Sequence, residues 1–317
     1  MQDVFGRNIT YLRLSVTDKC NLRCRYCMPS EGICSIEHEK ILTQEEMIMA
    51  VKASSSLGIR KVRITGGEPL VKKNILSIVE GISQLEGIDN ISMTTNGTLL
   101  SSFAADLKKA GLRNINISLD TLNSEKYRTI TRIGTLDDAL SGLESALSAG
   151  FEKIKINSVL MGGFNDDEIE RLSSLTLKYP VDVRFIELMP MTEDEFFSPG
   201  FFISNRKVLE ALPSLERVGS DDSVAKLYRL PGAKGNIGLI SPLSDHFCFS
   251  CNRLRLTADG HIKPCLHSRL EYPIKGLDYQ GMVEMFRKAI LSKPQKHNAL
   301  SYDERSEAGR YMNTIGG

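Results

Sequence analysis

Residues 11–27 read YLRLSVTDKCNLRCRYC, a short strand-like run followed at once by cysteines spaced CxxxCxxC. The chain carries two cysteine triplets, one near each end: Cys20, Cys24 and Cys27, and Cys248, Cys251 and Cys265. Each triplet offers three thiolates where a closed zinc site or a fully ligated cubane iron–sulfur cluster uses four. The triplets therefore predict two metal centres, each with an open position where a small molecule binds.

The composition places limits on the class of protein. The chain has 317 residues, of which 41% are apolar and 25% charged, and its net charge is +1. These values are typical of a globular protein and give no sign of nucleic-acid binding. We find neither a secretory signal nor an apolar run of about 18 residues, so we expect no membrane span and a cytoplasmic location. In that reducing compartment, clustered cysteines bind metal or do redox chemistry more often than they form disulfides.

Up to about residue 190, short strand patterns alternate with helical ones such as 99–110, 136–149 and 166–178. The predicted strands are 11–16, 61–65, 91–95, 114–119, 154–159 and 183–188. Six βα units in a row predict a parallel sheet, either doubly wound or a partial (β/α)6 TIM-like barrel.

The alternation within the strands favours the barrel. A parallel strand that is covered on both faces is continuously apolar, whereas these strands alternate apolar and polar residues. The polar face carries four cations: Arg13, Arg63, Lys155 and Arg184. Unpaired buried charges are costly, so this face indicates a wide, hydrated barrel with an anionic ligand in its lumen. The alternative is that the cations pair with acidic neighbours such as Glu68, Asp120 and Glu187.

The rhythm changes after residue 190. We expect two regions, the partial barrel over 1–190 and, over 191–317, an appendage of short antiparallel strands and helices that carries the second triplet. Its predicted strands are 225–230, 236–240 and 254–257, and Asp259-Gly260 predicts a hairpin turn that leads to Cys265.

The strand ends carry the distinctive motifs, as expected for functional loops in a barrel of this type. The first strand runs into CNLRCRYCMP, and the second runs into GGEPL at 66–70. Together these motifs resemble the radical S-adenosylmethionine superfamily. The resemblance implies a [4Fe-4S] cluster on Cys20, Cys24 and Cys27, whose fourth iron chelates S-adenosylmethionine.

The stretch FCFSCNRLRLTADGHIKPCL at 247–266 and the terminal Gly316-Gly317 resemble the GTP 3′,8-cyclases of molybdenum cofactor biosynthesis, the MoaA family. The likeness extends over essentially the whole chain. It implies a second [4Fe-4S] cluster on Cys248, Cys251 and Cys265, whose open iron binds the guanine of GTP. It also implies that the terminal glycines reach back towards the active site.

The same resemblance implies the contact residues. Those for GTP are Arg13, Arg63, Thr94, Lys155, Arg253, Leu254 and Arg255, with Arg13, Arg253 and Arg255 in the catalytic set. Those for S-adenosylmethionine are Tyr26, Gly67, Ser118 and Met189. Arg184 has no firm counterpart. The residues themselves also favour a phosphate ligand, because Arg253 and Arg255 point the same way in an extended segment and guanidinium groups bind phosphate oxygens bidentately.

The activity implied by the resemblance is conversion of GTP to (8S)-3′,8-cyclo-7,8-dihydroguanosine 5′-triphosphate, the first step of the pathway. A 5′-deoxyadenosyl radical would take hydrogen from C3′ of GTP, and the resulting carbon radical would attack C8 of the guanine. The implied partners are a second copy of the chain, an electron donor, and the cyclic pyranopterin monophosphate synthase that receives the product.

Two other functions compete with this hypothesis. A peptide-modifying radical enzyme also carries auxiliary clusters, but it usually has more cysteines and a peptide groove. A non-catalytic zinc or electron-transfer protein would not need GGEP or the strand-end motifs. Cys34, seven residues after Cys27, is not expected to complete the first site, because a fourth thiolate would leave S-adenosylmethionine no iron to bind.

Overall fold

The computed structural model describes residues 1–191, 199–219, 224–298, 300 and 306–316. Gly317, the second residue of the terminal glycine pair, lies outside the described residues. The strands are β1 (Tyr11–Ser15), β2 (Lys61–Thr65), β3 (Asn90–Thr95), β4 (Asn114–Ser118), β5 (Lys153–Leu160), β6 (Val181–Glu187), β7 (Glu216–Val218), β8 (Lys226–Arg229), β9 (Ile237–Ile240), β10 (Arg253–Leu256), β11 (His261–Lys263) and β12 (Tyr272–Pro273).

The helices lie between and after the strands. They are α1 (Gln44–Ser56), α2 (Ile75–Ser83), α3 (Ala104–Lys109), α4 (Ser124–Thr131), α5 (Leu136–Ala149), α6 (Ile169–Ser173), α7 (Leu175–Lys178), α8 (Arg206–Ala211), α9 (Tyr279–Leu291) and α10 (Met312–Ile315). Within the described ranges, no helix combines the length and the apolar character that crossing a membrane requires.

One sheet organises the molecule, in the order β12-β11-β10-β1-β2-β3-β4-β5-β6-β9-β8-β7. The run from β10 to β9 is parallel throughout, and short antiparallel strands extend both ends of it. Among the described residues β12 and β7 are the two edges, so the barrel-like sheet is open. The predicted α/β fold with a parallel sheet core is confirmed.

Two strands of the C-terminal region differ from the expectation. We expected short antiparallel strands there, but β10 pairs parallel with β1, and β9 pairs parallel with β6. The physical reason is that β1 and β6 would otherwise be the edges of the six-stranded sheet, with unpaired backbone groups. The hairpin predicted at Asp259-Gly260 is confirmed by the antiparallel β10–β11 pair. The boundary near residue 190 stays a prediction.

The two faces of the sheet differ as the alternation predicted. In β5, Ile154 and Ile156 are buried, while Lys155 and Asn157 between and after them are half-buried. The apolar face packs against the helices in one continuous core that includes Leu12, Ile64 and Ile117. The polar face, which we call the lumen face, is left to hold the charged residues.

Candidate functional site

The first cysteine loop follows β1 and is fastened to the loops after β2 and β3. The amide of Glu68 donates to the carbonyl of Lys19 at 2.9 Å, and Asn96 Nδ2 donates to Asn21 Oδ1 at 2.9 Å. The amide of Leu22 donates to Cys20 Sγ at 3.3 Å. The loop that carries the first triplet is therefore fixed at the carboxyl ends of the strands.

The three cysteines of this loop are half-buried, and their thiols influence one another. Burial raises the pKa of Cys20 to about 11 and that of Cys27 to about 12. Burial, followed by the neighbouring Cys27 and Asp120, raises the pKa of Cys24 well above its ordinary value. A metal binds the thiolate, so cluster binding at this loop would release protons.

The number of thiols bears on the kind of metal. A closed zinc site uses four ligands, whereas a cubane cluster held by three thiolates keeps one iron open for a small molecule. A cavity of about 280 Å³, lined in part by Cys20, Arg23 and Asn313, lies beside the loop. The donor set therefore fits a [4Fe-4S] cluster.

The residues predicted to contact S-adenosylmethionine all lie at the carboxyl ends of parallel strands. Tyr26 and Gly67 lie in the loops after β1 and β2, Ser118 ends β4, and Met189 follows β6. A Cβ atom on Gly67 would come within 2.7 Å of the Asp18 carbonyl oxygen. The glycine is therefore required by packing between the two loops, before any ligand is considered.

Tyr26 is held by a residue that sequence reasoning did not assign. Its hydroxyl donates to Asp120 Oδ2 at 2.7 Å, and the amide of Val159 donates to Asp120 Oδ1 at 2.8 Å. Burial raises the pKa of Asp120 to about 6. Tyr26 also packs against a small apolar cluster that includes Met161 and Leu188. The tyrosine is thus oriented before any ligand binds.

Six cations gather on the lumen face, and we call them the lumen cations. They are Arg13, Arg63, Lys155, Arg184, Arg253 and Arg255. Arg13 lies opposite Arg63 on one side and opposite Arg255 on the other in the parallel register. Tyr11 lies among them, since four of the six, Arg63, Arg13, Arg253 and Arg184, act on its ionisation. The Arg63 guanidinium is 5.5 Å from the centroid of the Tyr11 ring.

The carboxylates proposed as alternative partners bind elsewhere. Glu68 accepts from Thr95 Oγ1 and from the amide of Asn96, each at 2.7 Å. Glu187 accepts from the amides of Leu243 at 3.1 Å and Ser244 at 3.0 Å. Asp120 accepts hydrogen bonds from the Tyr26 hydroxyl and the Val159 amide. All three carboxylates therefore stabilise loops.

The lumen cations destabilise one another's charge. Burial, followed by Arg184 and Arg63, lowers the pKa of Lys155 to about 7. Burial and neighbouring arginines lower the pKa of Arg184 and of Arg255 to about 10. Burial and Arg255 lower the pKa of Arg13 well below its ordinary value. A polyanion in the lumen would relieve this repulsion.

Several polar atoms on the lumen face also lack a hydrogen-bond partner within the described residues. They are Tyr11 Oη, Thr94 Oγ1, Asn157 Oδ1 and Arg184 Nε, all of them buried. Buried polar atoms are rarely left unpaired, so their presence here fits a ligand that supplies the missing partners. Leu254 differs, because its side chain is fully buried in the core, so only its backbone is available to a nucleotide.

The C-terminal tail enters the same space. Arg255 Nη1 donates to the carbonyl of Ile315 at 3.2 Å and also to that of Gly316. Gly316 has a φ of 72°, and a Cβ atom there would collide with Thr65 Oγ1. The implied approach of the tail to the site is therefore seen for Gly316.

The second triplet is assembled by the β10–β11 hairpin. Cys248 and Cys251 precede β10, and Cys265 follows β11, which runs back alongside it. Burial alone would raise the pKa of Cys251, but Lys293 and Arg253 bring it below its ordinary value.

The two triplets lie at opposite ends of neighbouring strands. The first triplet follows the carboxyl end of β1, whereas Cys248 and Cys251 precede the amino end of β10, which is parallel to β1. The five-residue strand spans about 16 Å at roughly 3.3 Å per residue. The lumen cations of β1, β2 and β10 lie between the triplets.

Comparison with known proteins identifies the family. Residues 14–175 match the radical SAM superfamily, and residues 181–299 match the family described as molybdenum cofactor synthesis C. The chain is 49% identical over 323 residues to the GTP 3′,8-cyclase of Alkaliphilus oremlandii, covering 100% of both proteins. It is 50% identical over 323 residues to the GTP 3′,8-cyclase of Peptoclostridium acidaminophilum, covering 99% of this chain and 98% of the relative.

The chain belongs to the GTP 3′,8-cyclase family of radical SAM proteins. This membership confirms the predicted enzyme class and the predicted cofactors, [4Fe-4S] clusters and S-adenosylmethionine.

Solved structures support the fold of the enzyme. Streptococcus suis SuiB bound to S-adenosylmethionine matches with a TM-score of 0.61 at 16% identity, covering 86% of this chain and 62% of that one. Native anSMEcpe with bound AdoMet matches with a TM-score of 0.60 at 16% identity, covering 92% of this chain and 82% of that one. SuiB was also solved with a precursor peptide. At this identity the likeness is one of fold alone, so it does not favour the peptide-modifying alternative.

Several site residues of the enzyme were missed from the sequence. Tyr11 alternates with Arg13, so the strand pattern already placed it on the lumen face. Lys293 and Asn313 gave no such signal, because their partners are distant in sequence. Asp120 was predicted only as a possible ion-pair partner of the cations, and not as the acceptor for Tyr26. Cys34 is exposed, unlike the six triplet cysteines, and its predicted exclusion from the cluster stays a prediction.

Proposed function

We propose that this enzyme holds GTP along the lumen face, between a cluster on the first cysteine triplet and a cluster on the second. Family membership confirms the predicted function, the GTP 3′,8-cyclisation that opens molybdenum cofactor biosynthesis. The proposal concerns which residues perform it. The observation that carries it is the placement of the lumen cations between two triplets at opposite ends of neighbouring strands.

The first triplet and the strand-end residues form the cofactor end of the site. Cys20, Cys24 and Cys27 would hold one cluster. The contacts to S-adenosylmethionine would come from Tyr26, Gly67, Ser118 and Met189. When bound, the first cluster and S-adenosylmethionine supply the radical that takes hydrogen from the ribose of GTP. The protein's part is to orient the two ligands and to exclude water. The Tyr26–Asp120 hydrogen bond contributes to the orientation of the ligands.

The lumen cations would bind the triphosphate, and they include a residue that the family resemblance did not supply. Arg13, Arg63, Lys155, Arg253 and Arg255 were predicted, together with Thr94 and Leu254, and the burial of the Leu254 side chain leaves only its backbone for this role. We add Arg184, because it acts electrostatically on Lys155 and Tyr11 and its buried Nε lacks a partner within the described residues. Guanidinium groups bind phosphate oxygens bidentately, which fixes the nucleotide's orientation as well as its charge.

The second triplet would form the base end of the site. Cys248, Cys251 and Cys265 would hold the second cluster, whose open iron would bind the guanine. Arg13, Arg253 and Arg255 are then the residues placed to touch the reacting nucleotide. The Gly316 carbonyl, which accepts from Arg255, would restrain that arginine at the side of the substrate.

We also propose the cellular context implied by the family. The enzyme would work in the cytoplasm as a homodimer, receive electrons from a separate donor, and pass its product to cyclic pyranopterin monophosphate synthase.

Anaerobic reconstitution of wild type and two cysteine variants tests the proposal. Wild type should bind about eight irons per chain, and Cys24→Ala or Cys251→Ala should bind about four. Cys251→Ala should still cleave S-adenosylmethionine but should lose GTP turnover, whereas Cys24→Ala should form no methionine. About four irons in wild type would overturn the two-cluster assignment.

GTP affinity tests the role of Arg184. Arg184→Met should raise the Kd for GTP by roughly tenfold or more, because a charge-assisted hydrogen bond is lost. Arg113→Met is the matched control, since Arg113 is an exposed arginine paired with Glu152. An unchanged Kd in Arg184→Met would remove Arg184 from the site.

A further inference from the structure

A buried lysine joins the two segments that carry the second cysteine triplet. Lys293 lies just after α9, and only 3% of the residue is exposed. Its Nζ donates to the carbonyl of Arg253 at 2.8 Å and to the carbonyl of Pro264 at 2.7 Å. Arg253 lies two residues after Cys251, and Pro264 directly precedes Cys265. One ammonium group therefore fixes the separation of the two cysteine-bearing segments.

The ammonium also lies close to a ligand of the site itself, because Lys293 is an electrostatic neighbour of the Cys251 thiol. The two groups that accept its hydrogen bonds, the carbonyls of Arg253 and Pro264, are both uncharged. Burying an ammonium without a negative charge is unfavourable, so its placement requires an anion close by.

Arg7, which also contacts the second cysteine triplet, differs from Lys293 because it is paired with a carboxylate. Arg7 Nη1 donates to the carbonyl of Cys248 at 2.8 Å, and so holds the other end of the CFSC segment. Its own charge is met by Asp3, whose Oδ2 accepts from Arg7 Nε at 2.6 Å. Arg7 thus carries its counter-ion with it, whereas within the described residues Lys293 lies beside the Cys251 thiol, which a bound metal would hold as a thiolate.

We propose that Lys293 is a positioning residue for the second cluster: it holds the Cys251 and Cys265 segments together and supplies the positive charge that balances the cluster's thiolates. This inference rests on the proposed function, in which the second triplet binds a cluster. Net charge and hydrogen bonds to sulfur set the reduction potential of such clusters. Lys293 should therefore make the second cluster easier to reduce as well as easier to retain.

Two substitutions separate these effects. Lys293→Gln keeps an amide donor but removes the charge, so it should retain the second cluster and shift its midpoint potential to a more negative value. Lys293→Met removes donor and charge, so it should bind fewer than eight irons while the first cluster is kept. Potentiometric titration followed by electron paramagnetic resonance measures the midpoint potential and shows whether the second cluster is present. The signal that is lost in Cys251→Ala identifies the second cluster. Lys288→Met, an exposed lysine on α9, is the matched control.

The outcomes are distinguishable from failure of the proposed function. If wild type itself lacks the second cluster, the proposed function fails first. If wild type holds both clusters and both variants keep wild-type iron and potential, Lys293 has no role at the cluster. Loss of both clusters in both variants would also overturn the inference, because Lys293 would then support the fold in general.

Discussion

Gly67 shows how one missing side chain sets the cofactor end of the site. The family resemblance implied that Gly67 contacts S-adenosylmethionine. In the structure, the space that a Cβ atom on Gly67 would occupy lies against the backbone carbonyls of Asp18 and Lys19. These residues lead directly into Cys20, so the packing of this glycine fixes the start of the cysteine loop.

A methyl group at this position should therefore displace the loop. We expect Gly67→Ala to weaken S-adenosylmethionine binding at least about tenfold, because overpacking of this kind costs roughly 1–3 kcal/mol. Equilibrium binding to the reconstituted enzyme measures this. Gly200→Ala is the control, since no atom lies within 4 Å of a Cβ built there. Equal affinities for the two variants would contradict this account of Gly67.

Lys155 gives the site a pH dependence. Burial, with Arg184 and Arg63, lowers its pKa from 10.5 to about 7. Between these values the folded protein binds fewer protons than the unfolded chain, so this residue's contribution to the free energy of unfolding rises with pH. A bound triphosphate favours the ammonium form and reverses the shift. GTP binding should therefore take up a proton above pH 7 and weaken by up to about tenfold per pH unit.

Calorimetry in buffers of different ionisation enthalpy at pH 8 measures this proton uptake. Lys155→Met should abolish it, whereas Lys109→Met, at an exposed lysine of α3, should not. A GTP affinity that stays constant between pH 7 and pH 9 would show that Lys155 does not meet the triphosphate.

The residue pattern predicted part of this site and not the rest. Period-two alternation placed Arg13, Arg63, Lys155 and Arg184 on one face, and the sheet register keeps them there. Alternation cannot show which carboxylates bind groups other than the lumen cations. Glu68, for example, accepts hydrogen bonds from Thr95 and Asn96 at the end of β3. Nor can it find Lys293, whose contacts are made across 29 and 40 residues of sequence.

At the scale of elements, the C-terminal segment 306–316 is fastened both to the β10–β11 hairpin and to the first cysteine loop. Arg310 donates to both carboxylate oxygens of Glu271, at 2.7 and 2.6 Å, and to Asp259 Oδ2 at 2.9 Å. This anchors the segment to the β10–β11 hairpin. Beyond the anchor, Asn313 Nδ2 donates to the carbonyl of Asp18 at 2.9 Å, in the loop that leads to the first triplet.

Releasing the anchor should free the tail. We expect Arg310→Met to increase amide hydrogen exchange in residues 310–316 and to raise the KM for GTP roughly three- to tenfold, because Arg255 loses its restraint. Hydrogen exchange and steady-state kinetics measure these effects. Arg287→Met serves as the control, since Arg287 is exposed on α9. Faster exchange without a change in KM would separate the tail from substrate binding.

The elements were predicted best where local pattern and packing agree. The helical pattern 136–149 matches α5, whose end is capped by the left-handed Gly150. The pattern 99–110 was predicted as one helix but forms a 3-10 turn, Leu100–Ser102, followed by α3. Tight packing of α5 explains the break, because a Cβ atom on Gly142 would collide with the Gly97 carbonyl. Helix α4 was missed, although Asn123 is a strong N-cap signal.

At the scale of the whole molecule, the parallel pairing of β1 with β10 is the decisive feature. It was not predicted, because pairing between residues some 240 positions apart leaves no local pattern. It places the first triplet at one end of the lumen and the second triplet at the other. Under the proposed function, two open metal positions would face a common space lined by the lumen cations.

The central claim is that GTP occupies this space with its ribose facing the radical source. Turnover of GTP carrying deuterium at C3′, with S-adenosylmethionine and a reductant under anaerobic conditions, tests it most directly. The account predicts that mass spectrometry will find the deuterium in 5′-deoxyadenosine, formed together with the cyclised nucleotide. Formation of 5′-deoxyadenosine without deuterium while GTP is consumed would contradict it.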